Sequence, residues 1–108
     1  MSNDRALRGR LLGVVEAQLT DPALRTLTLA DACNTSVRTI QNVFAAMGTT
    51  PSGYILERRL RRAAERLTAS PGASITEIAF ELGFNDSAYF ARVFRQQFGV
   101  PPREWRRQ

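Results

Sequence analysis

Residues 74–102 read SITEIAFELGFNDSAYFARVFRQQFGVPP, and residues 28–51 read TLADACNTSVRTIQNVFAAMGTTP. They are two versions of one unit. In the later copy Ser74 and Glu77 form the pattern S-x-x-E, in which a hydroxyl and a carboxylate satisfy each other's free backbone N–H groups at a helix start. Ile78, Ala79 and Leu82 then fall on one helical face. Gly83 supplies the left-handed residue a tight turn needs. Asp86 is a good N-cap for the next helix. Phe90, Phe94 and Phe98 recur at helical spacing as its buried stripe, and Gly99 closes it.

The earlier copy repeats the plan with weaker signals. Thr28 with Asp31 resembles a capping box, which predicts a short helix from Leu29 to about Cys33. Asn34 replaces the turn glycine, because Asn tolerates the left-handed region. Ser36 replaces Asp86 as cap. Ile40, Val43, Phe44 and Met47 point inward, and Gly48 ends the helix. Ala30 aligns with Ala79, Phe44 with Phe94, and Pro51 with Pro102. The offset grows from 49 to 51, so the later copy carries one extra residue in the turn and one near the end of its second helix.

Around the copies the pattern stays helical. Leu7, Leu11, Leu12, Val15 and Leu19 give residues 4–19 an amphipathic face, which Pro22 interrupts. Thr50 and Pro51 open a helix reaching about Ser70, with Tyr54, Ile55, Leu60, Ala63, Ala64 and Leu67 inward. Its outer face carries Arg58, Arg59, Arg61, Arg62 and Arg66, some of them at helical spacing to Glu57 and Glu65. Pro101 and Pro102 start a short terminal helix through Trp105. No stretch sustains the period-two alternation of a half-buried strand. The expected fold is all-α, about seven helices, as a single domain over residues 1–108. It has a first lobe over 4–50, a linker helix over 51–70 and a second lobe over 74–108.

Composition narrows the function. The 108 residues carry 15 basic and 10 acidic side chains, a net charge of +5, and every basic residue is arginine. Residues 51–108 hold ten Arg against six acids, while residues 1–50 hold five against four. Guanidinium groups suit bidentate contacts to phosphate and to guanine edges. A basic balance favours nucleic acid or an anionic surface as partner. There is no histidine and one cysteine, Cys33, inside an apolar helical pattern. Cys33 therefore reads as a core thiol. A zinc site, a Cys–His pair and a Ser–His pair are excluded. No enzyme activity, metal or cofactor is expected. With no secretory leader pattern and no apolar run near membrane-spanning length, the chain reads as soluble and cytoplasmic.

A short helix, a tight turn and a longer capped helix describe a helix-turn-helix. Its second helix can present one face to base edges while the opposite face packs on the lobe. In the first copy the outward set is Val37, Arg38, Gln41 and Asn42. In the second it is Ser87, Ala88, Ala91 and Arg92, with Arg95 and Gln96 further along. Successive major grooves on one face of a duplex lie about 34 Å apart, and a helix of about 20 residues spans about 30 Å.

The stretch ITEIAFELGFNDSAYFARVFRQQFGVPPREWR, residues 75–106, follows the pattern I-x-x-I-A-x-x-x-G-F-x-x-x-x-Y-F-x-R-x-F-x-x-x-F-G-x-x-P-x-x-[YW]-R. In this it resembles the AraC-type (AraC/XylS) DNA-binding domain of bacterial transcription regulators. SVRTIQNVF and TTPSGYILERRLRRAAERL resemble that domain's first half. The resemblance implies two helix-turn-helix lobes on a central helix, binding adjacent major-groove segments of double-stranded DNA. It implies base-reading roles for Arg38, Gln41 and Asn42, and for Ser87, Ala88, Ala91 and Arg92. Arg92 stands at the family's common arginine, with guanine contact and phosphate contact as its two options. Gln41 either pairs with adenine or is solvated. Ser36, Thr39, Arg95 and Gln96 are expected at phosphates.

The chain departs from the pattern in places. The first copy reaches Gly48 one residue early. Asn42 stands where many members carry a basic residue, and Ala88 and Ala91 offer only methyl contacts. The competing expectation is a protein-interaction module that docks on RNA polymerase. The related alkyl-acceptor repair proteins need several cysteines and are set aside. The chain is expected to be the DNA-binding part of a longer regulator. The unit would be monomeric by itself, any dimerisation running through a further domain, and no membrane partner is expected.

Overall fold

A computed structural model describes residues 4–108; the expected domain also takes in residues 1–3, which lie outside the described residues. Seven helices follow one another: α1 (Asp4–Ala17), α2 (Thr26–Ala32), α3 (Val37–Ala46), α4 (Pro51–Ala69), α5 (Ile75–Glu81), α6 (Ser87–Phe98) and α7 (Pro102–Arg106), with no strand among the described residues. The chain forms two compact units that divide between Leu56 and Glu57, so α4 contributes to both.

In the first unit α1 packs on α2 and α2 on α3. The predicted apolar stripes supply its core: Leu11, Val15, Leu19, Leu29, Ile40 and Phe44 are fully buried, with Ile55 from the start of α4 nearly so. Leu7 and Leu12, at the edge of the α1 stripe, are half-buried. The Phe44 ring meets Tyr54 at 5.4 Å between centroids. Cys33 is buried and free, as its apolar setting implies.

The start of α2 differs from the sequence expectation. The helix begins at Thr26, not Leu29, and its N-cap residue is Arg25, not Thr28. Thr28 is therefore the third helical residue, and its hydroxyl accepts a hydrogen bond from the Arg25 N–H at 3.3 Å. Upstream, the Asp21 carboxylate accepts from the Ala23 N–H at 2.8 Å in the turn that precedes the helix. The Thr28–Asp31 box does not form; Thr28 closes the helix from inside.

The other local signals hold. Asn34 has φ +51°, and Gly48, Gly83 and Gly99 have φ near +80° to +89°. The Thr50 hydroxyl accepts from the Gly53 N–H at 3.0 Å, with Pro51 at the first helical position. Ser74 Oγ accepts from the Glu77 N–H at 3.0 Å while Glu77 Oε1 accepts from the Ser74 N–H at 2.8 Å. The Ser74 backbone N–H first, and the Ser74 hydroxyl second, hold the Glu77 carboxyl below the usual carboxylate range.

The second unit has an aromatic spine. Phe84, Phe90, Phe94, Phe98 and Trp105 stand in sequential contact, with centroid distances between 4.6 and 5.9 Å. Helix α7 then closes the end of α4. Trp105 Nε1 donates to the Ala64 carbonyl at 3.2 Å, and Arg106 donates to the carbonyls of Leu67 at 3.0 Å and Ser70 at 3.2 Å. The last carbonyls of a helix have no partner within it; here a helix nearly forty residues later supplies the donors.

Candidate nucleic-acid interface

Each unit ends its helix-turn-helix in a helix with one buried and one open face. In α3 the buried face is Ile40, Val43 and Phe44. Arg38, Gln41, Asn42 and Ala45 are exposed, and their spacing of i, i+3, i+4, i+7 puts them on one stripe. In α6 the buried face is Phe90, Val93 and Phe94. Ala88, Arg92 and Arg95 are exposed and Ala91 is half-buried. The caps Ser36 and Asp86 align, so Arg38 corresponds to Ala88, Gln41 to Ala91, Asn42 to Arg92 and Ala45 to Arg95. Ser87, half-buried, lies beside this stripe at the helix start, and exposed Gln96 lies beyond it.

The caps differ in what they leave open. Ser36 Oγ accepts from the Thr39 N–H at 3.1 Å and donates its proton to Thr39 Oγ1 at 2.9 Å. The Ser36 and Thr39 hydroxyls thus lie together at the start of α3. Asp86 Oδ1 accepts from the N–H groups of Ala88 at 2.8 Å and Tyr89 at 3.2 Å. A carboxylate on a helix start occupies the place an anion would take. The helix-turn-helix of the first unit, head one, thus leaves its helix start neutral, while that of the second unit, head two, closes its own with negative charge and sets Arg92 and Arg95 further along.

Two contacts between elements of head two and one within α6 were not expected from sequence. Arg66 forms a bidentate pair with Glu81 on α5, at 2.5 and 2.8 Å, and its third nitrogen donates to Ser70 Oγ. That pairing holds the Glu81 carboxyl below, and the Arg66 guanidinium above, their ordinary values. The Arg59 guanidinium lies over the turn, so a Cβ on Gly83 would stand 3.1 Å from its Cζ. Finally, Arg92 Cζ lies 5.3 Å from the centre of the Tyr89 ring. Only this last contact had a local signal, an aromatic residue three positions before a cation on one helix. On α4, Arg61 pairs with Glu57 at 3.3 Å, as helical spacing predicts.

Among the described residues no cluster of His, Cys, Asp and Glu could hold a metal ion, and no helix is long and apolar enough to cross a membrane. Chemically the two open stripes offer amide and guanidinium donors, methyl groups and a hydroxyl. That set matches base edges and phosphates.

A family model described as a helix-turn-helix domain matches residues 29–108. The transcriptional activator RhrA of Rhizobium meliloti is 42% identical over 94 residues, covering 86% of this chain. The crystal structure of a transcriptional regulator of the AraC-type DNA-binding domain-containing proteins, from Chromobacterium violaceum, is 32% identical with a TM-score of 0.90, over 96% of this chain and 92% of that one. The DNA-binding domain of the global transcriptional factor AdpA, solved in complex with a target DNA, shares the fold at 23% identity and a TM-score of 0.82, over 91% of this chain and 87% of that one. The chain spans about 30% of the length of the curated relatives it matches first.

Proposed function

The chain belongs to the AraC-type helix-turn-helix transcription regulators, and from that premise we propose that it binds double-stranded DNA through both open stripes and so directs transcription regulation. The observation that carries this reading is the repetition of one device: a capped second helix, buried on one side and open at i, i+3, i+4, i+7 on the other, in each unit. Arg38, Gln41 and Asn42 read base edges for head one and Arg92 for head two, with Ala88 and Ala91 offering methyl contacts. Thr39, Arg95 and Gln96 grip phosphates. Ser36 meets a phosphate beside Thr39, and Ser87 meets a base edge at the start of the second stripe. The two heads take neighbouring major-groove segments as one monomer. In a longer regulator, a further domain would supply any effector response or dimer contact.

Titration of a fluorescent duplex against this chain at several salt concentrations tests the proposal. Neutralising Z phosphates gives a slope of about −0.9Z in log K against log salt. Arg95→Ala is expected to make that slope shallower by about one phosphate for every sequence alike. Binding without a salt slope, or no duplex binding at all, would favour the competing role of a module that docks on RNA polymerase.

A further inference from the structure

Tyr89 is a large aromatic side chain left 38% exposed at the start of α6, at the border of the reading stripe. Core packing does not explain it. Its ring touches buried Phe84 at one side, at 6.3 Å between centroids, and Phe84 in turn packs edge-on against Phe90 at 4.9 Å. Its backbone N–H is fixed by Asp86. The open side of the ring carries the Arg92 guanidinium at 5.3 Å. Among the described residues no carboxylate pairs with Arg92. A chain of contacts therefore runs from the core through Phe84 and Tyr89 to Arg92.

We infer that Tyr89 is a specificity-determining positioning residue, a brace that restricts Arg92 to the conformers able to reach a base edge. This rests on the reading of Arg92 as a base contact. A free arginine has many rotamers and loses them on binding. A ring face attracts a guanidinium without neutralising it, so the cation is held yet keeps its five donors for a guanine. A carboxylate partner would hold it too, but would compete with the base. Thr39 occupies the matching place in α3 and has no ring, so the brace belongs to head two alone.

The test is a double-mutant cycle on a duplex selected by the unaltered chain, with each base pair of the site then substituted in turn. Arg92→Ala is expected to lose roughly 5- to 150-fold discrimination at one base pair. Tyr89→Leu, which keeps an apolar contact for Phe84, is expected to lose roughly 2- to 5-fold at that same base pair. Tyr89→Phe restores discrimination, because the ring face is kept. With Arg92→Ala already in place, Tyr89→Leu changes nothing further. Full discrimination by Tyr89→Leu, while Arg92→Ala loses it, would overturn the brace alone. Equal weakening of all duplexes by Tyr89→Leu in both backgrounds would also overturn it, making Tyr89 a direct DNA contact. Loss of no base preference in Arg92→Ala would remove the base-reading role itself and the brace with it. Circular dichroism and melting of each variant separate these outcomes from misfolding.

Discussion

Head one and head two share a plan and divide its chemistry in opposite ways. Head one puts three different polar side chains, Arg38, Gln41 and Asn42, on a ten-residue helix held by Ile40, Val43 and Phe44. Head two puts two alanines and two arginines on a twelve-residue helix anchored in five connected rings. The turn of head one is an asparagine that reaches φ +51° by its own tolerance; that of head two is a glycine covered by Arg59. Variety of reading groups goes with the simpler support, and few reading groups go with a rigid, braced one. One duplicated unit can thus keep its backbone plan while its two copies diverge in where the information lies.

The most severe way to sharpen this contrast is to remove one ring from each core. Phe44→Ala and Phe94→Ala each delete a fully buried phenyl group, worth about 3–5 kcal/mol. Phe94 also touches three other rings where Phe44 touches Tyr54, and aromatic pairs add about 0.5–1.5 kcal/mol each. Urea unfolding should therefore show the larger loss for Phe94→Ala, with Trp105, the one tryptophan, as a local reporter. A larger loss for Phe44→Ala would break the contrast between the cores.

The turns come next. Gly83→Ala must place a Cβ at φ +89° and 3.1 Å from Arg59 Cζ, and the left-handed conformation alone costs about 1–2 kcal/mol. Asn34→Gly relaxes a residue already in that region and should change stability by only a few tenths of a kcal/mol. Melting temperatures decide between them; an equal drop in both would contradict the difference drawn between the turns.

Removing the caps is expected to cost about 1 kcal/mol each. Asp86→Ala should cost more than Ser36→Ala, because Asp86 satisfies two backbone N–H groups and Ser36 one. Their effects on DNA should also differ. Asp86→Ala removes a negative charge from the start of α6 and should raise affinity for random-sequence duplex, whereas Ser36→Ala should not. Identical DNA affinities in the two variants would remove the proposed electrostatic difference between the helix starts.

The smallest effect is that of pH. Glu77 and Glu81, both in the second unit, are held below the usual carboxylate range by Ser74 and Arg66 respectively. Their folded pKa values are depressed. Their contribution is therefore complete above the unfolded carboxylate value and is lost as pH falls through the folded values. Resistance of the second unit to urea should weaken in acid, and Glu81→Gln should flatten part of that fall. An unchanged acid profile in Glu81→Gln would mean the Arg66 pair contributes nothing.

How much of this was legible in the sequence follows the range of the interactions. Caps, turn residues and apolar stripes act within a few positions, so Ser36, Asp86, Asn34, Gly83 and the Phe90–Phe94 face could be read directly. The early start of α2 could not, because Thr28 closes that helix from its third position instead of capping it from outside. The Arg66–Glu81 pair joins residues 15 apart and the Arg106 caps reach back 39 and 36 positions. Sequence spacing carries no signal for either. The reading stripes were legible as a face, since a helix repeats every 3.6 residues. The contact between the Ser36 and Thr39 hydroxyls was not, because it depends on side-chain rotamers.

The central claim is that both heads read bases as one unit. Selection from a fully randomised duplex library at about 150 mM salt, followed by sequencing of the bound pool, tests it most directly. The account predicts two short motifs in fixed order, about one helical turn apart, with the Arg92→Ala variant losing preference inside only one of them. A single short motif, or a pool with no enrichment, would contradict it.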